Sequence, residues 1–268
     1  MRNVRIRIAY DGSRFFGWQR QSGFESVQES LEEALEALVG DRVVVHGAGR
    51  TDTGVHAHGQ VASFHVDTKL PDERLLFALN HHVDEGVVVR DLETCDDAFH
   101  AQYSARGKRY VYLVRTTRFP PPFGLAHCLW TPDALDLDAM RTGARAFVGE
   151  HDFSALASAG SPRKSNVRRI TGLHVVARRE SLAFVVQGNG FLYNMVRTLV
   201  GTLLEVGRRK RSPEGPEGIA ELLRSKDRKR AGPTAPPTGL YLRSVLYDEP
   251  VFPLRGCSAG RPRPGVFP

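Results

Sequence analysis

Cysteine is scarce in this chain. Three occur in 268 residues, Cys95, Cys128 and Cys257, far apart and in no CxxC pattern. That set gives neither a disulfide framework nor zinc-ligand spacing, and it fits a reducing cytoplasm. Long apolar runs are missing too. None approaches the ~18–20 residues that a bilayer-spanning helix needs. The opening Met1-Arg2-Asn3-Val4 passes straight into strand-like alternation, with no apolar leader segment. A nicotinamide or flavin signature is also lacking. Negative charge is in deficit: 30 Asp and Glu stand against 37 Lys and Arg, for a net charge of +7. Such a balance favours a polyanionic partner, of which nucleic acid is the commonest.

What is present is the material of an ordinary globular protein, 41% apolar and 25% charged, enough for one large domain or two modest ones. Val4 to Tyr10 alternates with period two, which predicts a half-buried strand. Ser26-Val27-Gln28-Glu29 has the form of a capping box, and the helix it opens carries Val27, Leu31, Ala34, Leu35 and Leu38 on one face before Gly40 stops it. Strands are expected over 42–48, 59–66 and 86–92, with a second helix over 71–80. The order is β-α-β-β-α-β, the split βαβ arrangement of ferredoxin-like domains. The second half repeats it: a strand at 109–115, a helix at 138–148, a hairpin at 170–187, a long helix at 191–206, a short one at 216–223 and a last strand at 240–247. The expected fold is therefore α+β, with two fused ferredoxin-like halves of antiparallel sheet and a catalytic cleft between them. We place the halves at 1–104 and 105–248, with an irregular Pro- and Gly-rich tail at 249–268.

The connection between the strands expected at 42–48 and 59–66 is far longer than the ~2–5 residues of a tight hairpin. It holds Gly49-Arg50-Thr51-Asp52-Thr53-Gly54-Val55-His56-Ala57. An aspartate beside a glycine is often only a turn former. Here Arg50 could hold the carboxylate ionised, and the glycines let a bulky ligand approach. His56 and His58, with His46 and His65 nearby, raise the question of a metal, but the missing ligand would be Asp52 itself, beside an arginine. We expect no metal and no cofactor.

Two further segments carry chemistry. Arg106-Gly107-Lys108-Arg109-Tyr110-Val111-Tyr112 sets cations beside aromatic rings, which suits phosphate contact and base stacking; the plain alternative is two ordinary sheet tyrosines. In Asn189-Gly190-Phe191-Leu192-Tyr193-Asn194-Met195-Val196-Arg197, the arginine sits in an otherwise apolar helix and needs an anionic partner, for which Asp52 is the candidate. Basic runs at 208–211 and 226–230 suggest a phosphate-contacting rim.

Gly-Arg-Thr-Asp-x-Gly-Val-His-Ala resembles the active-site signature of the tRNA pseudouridine synthase A family. Further matches follow in order: Tyr10 to Ser13, Phe16 to Gln21, Phe99-His100-Ala101, Gly149 to Phe153 and Gly239 to Leu242. Thr53 stands where the family often has alanine. The resemblance implies a homodimer that isomerises uridine to pseudouridine at positions 38 to 40 of the tRNA anticodon arm without a metal or organic cofactor. It also implies roles for residues: Asp52 as nucleophile, Tyr110 in contact with the target base, Arg197 paired with Asp52, and Leu240 lining the substrate pocket. The chemistry of the reaction adds a stacking and general-base role for Tyr110 and a substrate-binding role for Arg50. Covalent attack, stabilisation of an oxocarbenium-like sugar and deprotonation of the sugar all remain open to one carboxylate. The competing reading is a non-catalytic RNA-binding protein of tandem RRM-like modules, for which Gly188-Asn189-Gly190-Phe191 is a fragment of the expected pattern.

Overall fold

The computed structural model describes residues 1–158 and 165–252. Strand β1 (Arg2–Tyr10) buries Val4, Ile6 and Ile8 on one face. Its other face sends Arg5 and Arg7 to Glu93 and Asp91 of strand β4 (Val87–Thr94), so the alternation read from sequence is the sheet's own. Helix α1 (Val27–Val39) starts where Ser26 Oγ accepts the Glu29 amide and ends at Gly40, whose φ of +80° only glycine adopts easily. The reciprocal half of the capping box, from Glu29, does not form. Val27, Leu31 and Leu35 are fully buried, each contributing ~1.5–3 kcal/mol of transfer free energy.

Strands β2 (His46–Gly47) and β3 (His56–Val66), helix α2 (Asp72–His82) and β4 complete the first half. The three valines at 43–45 do not form the strand expected of them. Helix side chains take the backbone groups of Val45 instead: Glu32 accepts its amide at 3.0 Å, and Gln28 donates to its carbonyl at 3.2 Å. The ladder with β3 therefore starts only at His46.

The second half runs β5 (Gly107–Arg115), β6 (Leu129–Trp130), α3 (Leu137–Arg145), β7 (Gly149–Asp152), β8 (Val167–Arg178), β9 (Ser181–Gly188), α4 (Met195–Gly207), α5 (Ile219–Ser225) and β10 (Leu240–Leu246). Strands β6 and β7 are additions to the expected order. Each half sets its four main strands in the spatial order fourth, first, third, second: β4-β1-β3-β2, then β10-β5-β9-β8. The two sheets are not separate. Strand β10 pairs in parallel with the start of β3, Tyr241 opposite His56 and Leu242 opposite Ala57, giving one ten-stranded sheet that is otherwise antiparallel apart from the β5–β6 pair. This junction lies next to the Asp52 loop.

Helix α4 begins at Met195, not at Phe191. Asn194 adopts φ +61°, a left-handed conformation that ends the preceding loop, in which Leu192 is buried in the core and Tyr193 is exposed. Residues 231–236 cross α4 closely at Gly201, where a β-carbon would meet the Pro233 carbonyl oxygen at 1.8 Å. Among the described residues no helix is long and apolar enough to cross a membrane. The expected tail, beyond Phe252, lies outside the described residues.

Candidate active site

The loop between β2 and β3 is braced from below. The Tyr10 and Thr51 hydroxyls lie 2.8 Å apart, the Thr51 carbonyl accepts the Trp18 amide at 3.1 Å, and Gln60 donates to the Gly49 carbonyl at 2.7 Å. The Val55 amide returns to the Asp52 carbonyl at 3.1 Å, a turn that Gly54 closes with φ +78°. The segment after β1 packs directly against this turn. A β-carbon on Gly12 would stand 2.1 Å from the Val55 carbonyl oxygen. Gly12→Ala should therefore cost ~1–3 kcal/mol in urea unfolding and lower kcat more than it raises KM, because the loop must move to admit the methyl group. Unchanged unfolding and kinetics would show that the contact is slack.

Asp52 is held above this base, three-quarters buried. Arg197 Nη1 lies 3.6 Å from its Oδ2. The guanidinium is itself fixed, Nε donating to the Ala235 carbonyl at 2.7 Å and Nη1 to Asn194 Oδ1 at 2.8 Å. Burial pushes the Asp52 pKa above the ordinary carboxylate value, and Arg197 opposes that shift. Arg50, the other expected partner, points outward and forms no ion pair among the described residues. The carboxylate pairs with the distant arginine and not with its neighbour.

Both residues open into a cleft of about 1250 Å³ between the starts of α1 and α4, whose wall includes Arg50, Tyr110 and Leu240. The structure thus brings together all five sequence-predicted site residues. Tyr110 is 8% exposed, more enclosed than a surface stacking ring, and meets Phe191 edge-on with centroids 5.2 Å apart. Burial raises its pKa, with the Tyr10 phenol and the Asp52 carboxylate adding to the effect. At neutral pH it faces the cleft as a ring with a protonated hydroxyl. Tyr112 is core, its hydroxyl donating to the Pro236 carbonyl at 2.8 Å.

Sequence reasoning left Lys108 among a run of cations. It shares a sheet face with Tyr110, two residues on, and that period was the signal that could have found it. Its side chain lies against Gly49 in the cleft wall, with no ion pair among the described residues, and burial lowers its pKa. The basic runs, by contrast, do not line the cleft, and most of their cations are engaged. Arg208 pairs with Asp133, Arg209 with Asp136, Arg211 with Glu205 and Lys226 with Asp152.

Among the described residues one group of potential metal ligands converges: Asp11, His56 and His127. Asp52 is not in it. Tyr241 and His56 pair across the sheet and alternate with cleft-lining Leu240 and Val55, so they face away from the cleft. His56 Nδ1 accepts the Gly12 amide at 3.1 Å, which ties the histidine to the turn under the Asp52 loop. His127 Nε2 lies 3.1 Å from Asp11 Oδ2, so the cluster joins the segments around Gly12 and His127 to the start of β3.

A family model described as tRNA pseudouridine synthase matches residues 6–104 and 144–248, more than half of the chain. The chain belongs to the tRNA pseudouridine synthase family. A tRNA pseudouridine synthase A of Acetivibrio thermocellus is 44% identical over 92% of this chain and 100% of that one. Another, of a Thermoanaerobacter species, is 42% identical over the same shares. A solved Cbf5-Nop10-Gar1 complex gives a TM-score of only 0.33 at 12% identity over 75% of this chain and 54% of that chain, too distant to bear on the site. The family makes the protein an isomerase acting on tRNA.

Proposed function

We propose that this enzyme converts uridine to pseudouridine at positions 38–40 of the tRNA anticodon arm, with Asp52 as nucleophile, and that it works as a cytoplasmic homodimer. The observation that carries the reading is the Asp52–Arg197 pair, a partly buried carboxylate held by an arginine from the other half of the chain at the floor of an open cleft. A passive tandem RRM-like binder has no use for such a group, and Gly188-Asn189-Gly190-Phe191 forms the end of β9 and a cleft-lining loop. The unpaired thiols of Cys95 and Cys128 fit a reducing compartment.

The reaction breaks the bond from C1′ to N1, turns the uracil, and joins C1′ to C5. The proton leaves C5 and N1 gains one, so atoms balance with no redox change. The target base must leave its stack to reach Asp52, at a cost of a few kcal/mol. Tyr110 and Leu240 line the space it would enter, and Arg50 and Lys108 offer cations to the flanking phosphates. Release of tritium from tRNA carrying C5-labelled uridine tests activity and site together. The wild type should release it and Asp52→Ala should not. Equal release by both would remove Asp52 from the chemistry.

A further inference from the structure

We propose that His46, His100 and Tyr103 form a second nucleobase subsite, a ladder of rings beside the cleft on which an unpaired base flanking the target uridine stacks. This rests on the RNA substrate read above and adds a contact outside the Asp52 pocket.

The inner rung, His46, lies in the cleft wall. Its ring centroid is 5.1 Å from that of His100, which in turn stacks on Tyr103 at 4.3 Å and 30°. Tyr103 is 77% exposed, so its outer face is open to a further ring. Exposed tyrosines are ordinarily free to turn, and ordering one on binding costs affinity. Here the supporting turn is already fixed. The amides of Gln102 and Tyr103 donate to His100 Nδ1 at 3.2 and 3.4 Å. The Ser104 amide donates to the His100 carbonyl at 2.9 Å, and the Ser104 hydroxyl accepts the His100 amide at 3.2 Å. Ala101 is fully buried between the Ser63 hydroxyl and the Tyr247 hydroxyl, which hold its amide at 3.0 Å and its carbonyl at 2.8 Å.

Two amides aimed at Nδ1 require a lone pair there, and so a neutral ring with its proton on Nε2. Burial, then the neighbouring His46, lowers the His100 pKa in the same direction. Protonation at Nδ1 would cost both amide hydrogen bonds, so the neutral ring is the form that keeps the turn carrying Tyr103 in place. Stacking of this kind tolerates any base, which suits a protein meeting many tRNA sequences at one anticodon arm. Lys108, in the same cleft wall, supplies a cation for the phosphate next to the stacked nucleotide.

The experiment uses the full chain and a fluorescein-labelled anticodon-arm stem-loop RNA, read by anisotropy for binding and by tritium release for turnover. Tyr103→Ala should weaken binding about tenfold, and Tyr103→Phe should stay within about twofold of wild type. An abasic scan of the loop should find one position whose loss weakens the wild type about tenfold and Tyr103→Ala not at all. Wild-type affinity in Tyr103→Ala, equal weakening in Tyr103→Phe, or penalties that multiply at every loop position would each overturn the subsite. Binding without tritium release by the wild type would instead sink the isomerase reading and leave the stacking test intact. No binding by the wild type would overturn both.

Discussion

Asp52→Asn should bind tRNA with close to wild-type affinity and form no detectable pseudouridine, a loss on the order of 10⁴-fold or more. The substitution keeps the size and the loop turn, since the Asp52 backbone carbonyl, and not its side chain, accepts the Val55 amide. What disappears is the charge that can attack or stabilise C1′. Unfolding should not account for the loss. Asp52 binds its proton more tightly in the folded state than an ordinary carboxyl does, because burial outweighs the help from Arg197. A group of that kind favours folding on the acid side, and that advantage is lost as pH rises through its folded pKa. At neutral pH the ionised side chain is a net cost to the fold, and the amide does not carry it. Urea midpoints at pH 7 should therefore be no lower in Asp52→Asn than in the wild type. Retained turnover, or a large loss of RNA affinity, would take the nucleophile's role away from this residue.

Much of this site could be read before any coordinates. The Asp52 motif is local, and glycine and arginine spacing announces it without knowledge of the fold. Period-two and helical patterns gave β1, α1, α2, β5, β9 and β10 to within a few residues, because each buries one face on a single core. The doubling of βαββαβ followed from their order alone. What could not be read is what distant polar groups decide. The valines at 43–45 have strand character, yet Glu32 and Gln28 of α1 take both backbone hydrogen bonds of Val45. Apolar periodicity carried the last long helix back to Phe191, whereas a left-handed Asn194, which also accepts from Arg197, starts it at Met195. The merging of the two sheets rests on two residue pairs between β3 and β10, far apart in sequence. The acids that pair with the cations of the basic runs, such as Asp133 with Arg208 and Asp152 with Lys226, lie outside those runs and could not be read from them. That Arg50, only two residues before Asp52, does not also pair with it likewise needed coordinates.

Arg197 was the anomaly that made the pairing legible, and the corrected helix start sharpens it. The residue lies in the first turn of α4, where the helix dipole is positive and a cation is disfavoured. The position makes sense only if something negative sits opposite, and Asp52 does, at 3.6 Å. Replacing Arg197 with methionine keeps much of the packing and removes the opposing charge. Burial then acts on Asp52 unopposed, so its pKa must rise further above the ~3.9 of a free aspartate. With Asp52 as the proposed nucleophile the active form is the carboxylate, and kcat/KM should fall as pH drops through that pKa. In Arg197→Met the acid limb of the pH profile should move to higher pH, and the plateau rate should fall ~10²–10³-fold, the usual loss when a preorganised charge partner is removed. Arg197→Lys separates charge from geometry. The ammonium restores the cation but cannot reproduce the fork that donates to both Ala235 and Asn194. Its acid limb should stay near that of the wild type, with a smaller loss of plateau rate. A merely structural arginine would lower the rate in both variants and leave both acid limbs where they were. A methionine variant with the wild-type limb and rate would disconnect the two halves of the cleft and leave Asp52 to act alone.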